Sequence, residues 1–402
     1  MQLHDVSIHR IWAGGSGRVW FELSLELSLD GQKRRCLLQG GCSTDLKHRG
    51  DRNEPRLTEH GLMGLRIYDR AAGLWICTPD RDPKVRAIKK LLSRNRIGAL
   101  LEGTRAADDL KFEPSSSMPR VEIVAYRASK RCVLRLTTTH EGKPNTIFAK
   151  AFKRARREDE LEVLRRLDDD LQGRGGGMVR IPPITGHLPK DRLTFVTAVP
   201  QPCVRLRTSG DDLTLAARLL SLLHSSTITV SRTHGVDDEL ASLRRRMREL
   251  QALQLPYELF EQLVPAIEAA MGCIGGPGHS LVHGAFHTAP VLKSRGQLWL
   301  LDLETLAHGH AEVDLAKFVA RLLYSSKNDG SWLTPGWEKA QFFLGQYRAV
   351  EGQVNEAAIR FFLVCAMAKH GASELTKGRP QEHVDRYWRV AQEIALGTRL
   401  PL

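Results

Sequence analysis

Reactive side chains crowd one stretch of this chain, LVHGAFHTAPVLKSRGQLWLLDLETLAHGHAEVDLAKF, residues 281–318. The carboxylates of Asp302, Glu304 and Asp314 can bind a divalent cation, move a proton or cap a turn. The imidazoles of His283, His287, His308 and His310 can ligate a metal or brace a loop. The spacing of His283 and His287 would suit zinc on a helix, but this segment reads as a loop. Only Glu304 offers a further donor nearby, so the histidines read as braces or solvated groups. No G-x-S-x-G elbow occurs, which excludes the usual serine hydrolase arrangement. Asp302 follows the apolar run Trp299–Leu301 and is expected at the end of a buried strand, where a carboxylate is either a ligand or a turn cap.

The elements around this stretch change character along the chain. From Val19 to Leu29 apolar and polar residues alternate, the period of a half-buried strand. Asp30-Gly31 then makes a hairpin turn into KRRCLLQ, because glycine tolerates positive φ. Residues 43–60 are polar and read as a loop, and LRIYD (65–69) and GLWICTP (73–79) then read as strands. A helix is expected near Asp82-Pro83, with Val85, Ile88, Leu91 and Leu92 on one face. EPSSSMP (113–119) is the clearest boundary in the N-terminal half. A three-strand meander follows over 121–127, 132–139 and 146–152, then a charged helix over 156–167, a break at GRGGG and a strand over 192–199. From Asp211 onward the pattern is helical, with late helices over 311–325, 337–349, 355–370 and 381–396. The 291–302 stretch is the one clear β element of that half.

Composition sets the bounds. With 402 residues, 42% hydrophobic and 26% charged, this is an ordinary globular chain long enough for two or three domains or lobes. The longest apolar run, Phe361–Ala368, falls well short of the ~20 residues that span a bilayer. The first residues lack the basic start and apolar stretch of a signal peptide, so a cytoplasmic location is expected. Seven scattered cysteines without a CxxC pair predict reduced, mostly buried thiols. The formal charge of +13 favours anionic partners, although scattered lysines and arginines read first as a solvated basic surface.

The chain from about 120 to 400 resembles the aminoglycoside phosphotransferase and choline kinase-like family of small-molecule kinases. The family loop, His-Gly-Asp-x-His-Pro-x-Asn, is matched in spacing by His283-Gly284-Ala285-Phe286-His287-Thr288-Ala289-Pro290. The apolar strand ending Ile-Asp-Trp-Glu is matched by Leu301-Asp302-Leu303-Glu304, and the downstream Gly-Asp-Pro-x-x-Asp-Leu-Ala by residues Gly309 to Ala316. The resemblance implies an α+β, bilobal protein kinase-like fold, with a small β-rich N-lobe over 116–200 and a large, mostly helical C-lobe over 201–402. Residues 1–115 are then an extra N-terminal β-hairpin and helix extension, available to extend the N-lobe or dock a protein partner. The resemblance further implies ATP and Mg2+ as cofactors. Lys150 grips the α- and β-phosphates, Glu160 (or Glu162) holds that lysine, and Asp302 is the metal ligand. Asp314 braces the loop, as do His283 and His287.

Two departures decide the expected chemistry. The family's loop aspartate orients and deprotonates the attacking hydroxyl, a role worth ~10²–10⁴-fold in rate, and Ala285 has no polar atom for it. Pro290 stands where the family has its asparagine, so one magnesium ligand is missing and a single carboxylate holds the ion weakly. Asp302 and Glu304 are the candidate substitutes for the base. RASKRC (127–132) supplies no glycine where a glycine-rich nucleotide loop would lie. A pseudokinase with impaired or no phosphoryl transfer, able or not to bind nucleotide, is therefore expected. The alternatives are an atypical ATP-dependent phosphotransferase acting on a neutral or anionic hydroxyl substrate, and a binding protein for an anionic partner. Between Ala320 and Leu402 there are eight acidic residues against eleven lysines and arginines, which disfavours an acidic, aminoglycoside-binding cleft. The basic helix SLRRRMREL (242–250) reads as a solvated face, and nucleic acid is not the expected partner.

Overall fold

The period-two pattern of residues 19–29 folds as expected, but within a larger sheet. The computed structural model describes residues 2–13, 19–29, 32–42, 56–58, 61–69, 74–113, 118–270, 274, 276–325, 333–351 and 353–397. In it β1 (Gln2–Ala13), β2 (Val19–Leu29) and β3 (Gln32–Cys42) run antiparallel. The short β4 (Arg56–Thr58) and β5 (Gly61–Met63) pair only with each other, inside and just past the stretch read as a loop. β6 (Arg66–Asp69) and β7 (Leu74–Cys77) then complete a five-stranded sheet of order β1-β2-β3-β7-β6. The expected hairpin is β2–β3, and it lies inside this five-stranded sheet. Leu27, Cys36 and Leu38 form its core, with Leu23, Leu25, Leu65 and Ile76 packed around them. Gly40 is required there: a Cβ would lie 2.2 Å from the Phe21 ring. β1 leaves Leu3, Val6 and Ile8 exposed.

The helix expected near Asp82-Pro83 is instead three short ones, preceded by a 3-10 turn at Pro79–Arg81. These are α1 (Ala87–Leu91), α2 (Arg94–Leu101) and α3 (Arg105–Leu110). The predicted boundary at 113–119 lies partly outside the described residues. The meander follows as β8 (Arg120–Arg127), β9 (Arg131–His140) and β10 (Lys143–Phe152). The chain then forms α4 (Glu158–Arg174), longer than expected because Leu171 extends the buried Leu161–Leu164–Leu167 stripe. After β11 (Val179–Arg180) it returns as β12 (Ile184–Leu188) and β13 (Leu193–Thr197), giving a second sheet of order β12-β13-β10-β9-β8. α1 to α3 cover one face of this sheet. Ile88, Leu91, Ile97, Leu101 and Leu110 share one core with Leu134, Leu136, Ile147, Ala149, Ala151 and Phe195.

The chain divides into two units: Met1–Glu158 with Pro183–Ala198 and Thr376–Gly378, and Asp159–Pro182 with Val199–Leu375 and Arg379–Leu402. The second unit is mostly helical. It holds β14 (Val204–Arg205), α5 (Gly210–His224), β15 (Thr233–His234), α6 (Val236–Ala252) and α7 (Glu258–Ala270). β16 (Ser280–Val282), β17 (Val291–Ser294), β18 (Gln297–Leu300) and β19 (Ala307–Gly309) come next. α8 (Glu312–Ser325), α9 (Leu333–Glu351), α10 (Glu356–Leu375) and α11 (Gln381–Ala395) close the unit, each near its expected span. Its β content exceeds the single ribbon expected. β17 and β18 belong to a four-stranded sheet with β11 and β14, and β19 lies between β15 and β16. Among the described residues no helix is long and apolar enough to cross a membrane, and no disulfide joins the cysteines.

Candidate functional site

β16 ends where the reactive loop begins, and the loop's entry is fixed by a carboxylate beneath it. Asp314, in the first turn of α8, is fully buried. It accepts the backbone N–H groups of His283 at 2.6 Å and Gly284 at 2.9 Å. His224 Nε2 lies 3.4 Å away, and its Nδ1 is 2.8 Å from the Tyr347 hydroxyl. Burial pushes the Asp314 carboxyl up, but the His224 hydrogen bond and the nearby positive groups outweigh it. The net shift is below the ordinary carboxylate value. Three further bonds complete the clamp: Thr305 Oγ1 donates to the His283 carbonyl at 2.7 Å, His283 Nε2 to the Leu301 carbonyl at 2.9 Å, and Lys317 Nζ to the Gly284 carbonyl at 2.7 Å. Gly284 has φ 77°, and a Cβ there would lie 2.6 Å from the Thr305 carbonyl, so only glycine fits. The bracing expected of Asp314 and His283 is therefore present in the geometry.

Beneath the clamp lies a buried charge cluster that the sequence reading missed. Glu239 of α6, 1% exposed, pairs with Lys317 at 2.9 Å, with Lys369 of α10 and with His234 Nε2 at 2.7 Å. Burial pushes Lys317 down to about 8, Lys369 down to about 7 and His234 down to about 4. His234 is thus neutral at pH 7 and donates its Nε2–H to Glu239. The cluster ties α6, α8 and α10 to the Gly284 carbonyl, so it acts on the loop through Lys317.

The reactive positions themselves are unequal. Ala285 is exposed, Phe286 is buried against His283 and Phe318, and Pro290 is buried. Leu301 N–H donates to the Pro290 carbonyl at 2.8 Å, so position 290 lies opposite Leu301, the residue before Asp302, at the base of the β17–β18 ribbon. Asp302 is exposed and has φ 57°, a left-handed conformation that aspartate tolerates better than most residues. The strand ends at Leu300, two residues earlier than expected. Glu304 lies half-buried in the single 3-10 turn Leu303–Thr305, two residues beyond Asp302.

His287 stands two residues from Ala285 and is half-buried. Burial first, then the Arg321 charge, brings it down to about 4. Its Nδ1 accepts the Ala289 N–H at 3.0 Å, so the neutral ring carries its proton on Nε2. The outward nitrogen is a donor and does not replace the missing base. His308 Nε2 accepts the Val230 N–H at 3.2 Å, and no cluster of three or more His, Cys, Asp or Glu placed to hold a metal occurs among the described residues. Pro290 offers no side-chain oxygen, which leaves Asp302 as the carboxylate at the expected ligand position.

These shifted histidines predict an acid sensitivity. An unfolded histidine takes its proton near pH 6.5, whereas folded His234 and His287 refuse it until about 4. The unfolded state therefore binds more protons between those values, and stability falls as pH drops through the window from 6.5 towards 4. Urea midpoints should decline across it, and His287→Asn, which keeps an acceptor for Ala289, should flatten part of the slope. An unchanged midpoint over that range rules the effect out.

The other expected site residues fall in both units. Lys150 lies half-buried on β10 in the sheet unit. Its neighbours Ala149 and Ala151 are buried under α1 to α3, so alternation sends the lysine to the opposite face. Glu160 is exposed on the first turn of α4, in the helical unit. Glu162 is also exposed and pairs with Arg165 on its own helix at 2.8 Å. The β8–β9 turn, where a glycine-rich loop would lie, has two amides already occupied. Ala128 N–H donates to Glu22 at 2.6 Å, and Ser129 N–H to Asp82 at 2.8 Å. Both acceptors come from the N-terminal segment, so these two turn amides already carry carboxylate partners.

Neither a protein-family model nor a curated protein matches the sequence. Solved structures do. Choline kinase LicA from Streptococcus pneumoniae aligns over 70% of this chain and 94% of its own, at 13% identity and a TM-score of 0.50. The amicoumacin kinase hAmiN, in complex with AMP-PNP, Ca2+ and Ami, aligns over 76% of this chain and 97% of its own, at 14% identity and a TM-score of 0.50. The fold is thus the α+β kinase-like fold seen in those small-molecule kinase structures. It agrees with the resemblance carried by the 283–316 motifs.

Proposed function

We propose that this protein is a pseudokinase: a kinase-like fold whose phosphoryl transfer is impaired or lost. One observation carries the reading. The loop is clamped by Asp314 as a working loop would be, yet its exposed position 285 is alanine and its buried position 290 is proline. A loop held this firmly without a base or second ligand retains the frame and lacks the chemistry. The donor character of His287 Nε2 supports the same reading. Nucleotide binding, where it persists, rests on Lys150 and Asp302 rather than on the β8–β9 turn, whose Ala128 and Ser129 amides are taken by Glu22 and Asp82. Binding is then weak and changes little with magnesium, because the protein supplies few metal donors.

The test is calorimetry of ATP with and without Mg2+, alongside an assay of ATP consumption. Weak binding, reduced in Lys150→Met and insensitive to magnesium, with turnover at background, is the expected result. Magnesium-dependent turnover that disappears in Asp302→Ala overturns the proposal and makes the chain an atypical phosphotransferase.

A further inference from the structure

A cationic cavity of about 480 Å³ opens in the sheet unit beside the β8–β9 turn, and Lys150 is not among its walls. Lys84, Arg86, Lys153, Arg154 and Arg192 line it, and no acidic residue is among its walls. The five come from three segments: the entry to α1, the residues after β10 and the turn before β13. The geometry is braced. Arg192 Nη1 donates to the Lys153 carbonyl at 2.6 Å, while Phe152 N–H donates to the Arg192 carbonyl at 3.0 Å. Lys153 N–H bonds the Lys130 carbonyl at 2.8 Å, and Arg86 Nε the Pro83 carbonyl at 3.3 Å.

What distinguishes the cavity is the lack of counter-charge. Among the described residues no carboxylate pairs with any of these five side chains, although other cations of the same unit are paired, as Arg135 is with Glu122. The acids next to its wall residues in sequence, Asp191 and Asp82, are already committed. Asp191, beside Arg192, pairs with Lys90. Asp82 is 3% exposed and accepts from the Lys84 and Ser129 amides and the Tyr126 hydroxyl. Like charges gathered within a screening length of roughly 8–10 Å repel one another, and their field concentrates anions. Three arginine forks suit the oxygens of phosphate, and the volume falls within the range of small-ligand sites.

We infer that this cavity binds a multiply charged phosphate anion, at a site separate from any nucleotide held by Lys150. Inorganic tripolyphosphate is the probe, at low salt, followed by calorimetry and thermal melting. The wild-type chain should bind it and melt higher in its presence, with orthophosphate clearly weaker. Arg86→Glu with Arg154→Glu should weaken binding by about tenfold or more, whereas Lys150→Met should leave it unchanged. The glutamine pair at the same positions serves if the charge-reversed chain folds poorly, and should weaken binding to a lesser degree. Sedimentation with vesicles carrying phosphorylated inositol headgroups tells the source of the anion. Vesicle binding lost in the same variants assigns it to a lipid headgroup, and its absence to a soluble polyphosphate. Tripolyphosphate binding that survives the charge reversal, or that vanishes only in Lys150→Met, overturns the site. So does tighter, reversal-sensitive binding of a single-stranded oligonucleotide with no tripolyphosphate binding, which would make this a nucleic-acid contact.

Discussion

Asp314→Ala should lower the stability of the helical unit by about 3–5 kcal/mol, the largest loss expected from any single change in the loop region. The carboxylate is fully buried, so its own desolvation opposes it. Its two backbone donors and His224 outweigh that cost, as the downward shift of its carboxyl shows. Hydrogen bonds to a charged group contribute about 1.5–3 kcal/mol each, and alanine leaves the amides of residues 283 and 284 buried without an acceptor. Asparagine does not rescue the site, because its NH2 faces donors where the lone pairs had been. The check is a urea midpoint together with hydrogen exchange at His283 and Gly284, whose protection should collapse in the variant. Exposed Asp302→Ala, by contrast, should cost only about 1–2 kcal/mol, chiefly because alanine tolerates its left-handed backbone less well than aspartate. The pH sign follows from the depressed carboxyl. Its stabilisation is present above the ordinary carboxylate value near 4 and is lost as pH falls through the lower folded value. Equal stability losses at positions 314 and 302 would falsify the clamp.

The parts of this fold legible in the sequence are those with a period or a fixed spacing. β2, β9, β10 and the late helices carry regular apolar repeats, and the loop carries its register from His283 to Asp314. β1 does not: register shifts between Leu3 and Asp5 and between Ile8 and Arg10 break the alternation that would mark it. Three short helices between 87 and 110 imitate one amphipathic segment followed by a loop, since each is too short to show a face. The strands β14, β15, β16 and β19 have two or three residues and no period to read.

The missed site residues fail for a different reason. Lys369 had a signal: it ends an apolar run and lies four residues from buried Cys365, on the same inward stripe of α10. Its partner Glu239 sits in the polar sequence DDELASL and gives no sign that it is buried. The cationic cavity joins residues 84, 153 and 192, which only the tertiary fold brings together. Nor could the sequence reveal that Glu22 and Asp82 cover the amides of the β8–β9 turn, because those contacts cross about fifty to a hundred residues.

If the chemistry fails at positions 285 and 290, returning their side chains should restore it. Ala285→Asp with Pro290→Asn should raise magnesium-dependent ATP hydrolysis by about 10²–10⁴-fold over the wild-type chain, the usual contribution of a positioned base. The two sites carry different costs. Position 285 is exposed, so a new carboxylate keeps its hydration and the backbone of the clamped loop is undisturbed. Position 290 is buried, so asparagine adds an N–H and an amide that need partners and costs about 1–3 kcal/mol where they find none. Its carbonyl bond to Leu301 is unaffected, because proline and asparagine share that group. Ala285→Asp alone should gain less, since it adds a base beside a metal held by one exposed carboxylate. Melting temperature is measured on each variant, and only those that fold are compared. A folded double variant that hydrolyses ATP no faster than the wild type moves the defect away from the loop. The amides of Ala128 and Ser129, held by Glu22 and Asp82, then become the remaining obstacle to a productive triphosphate.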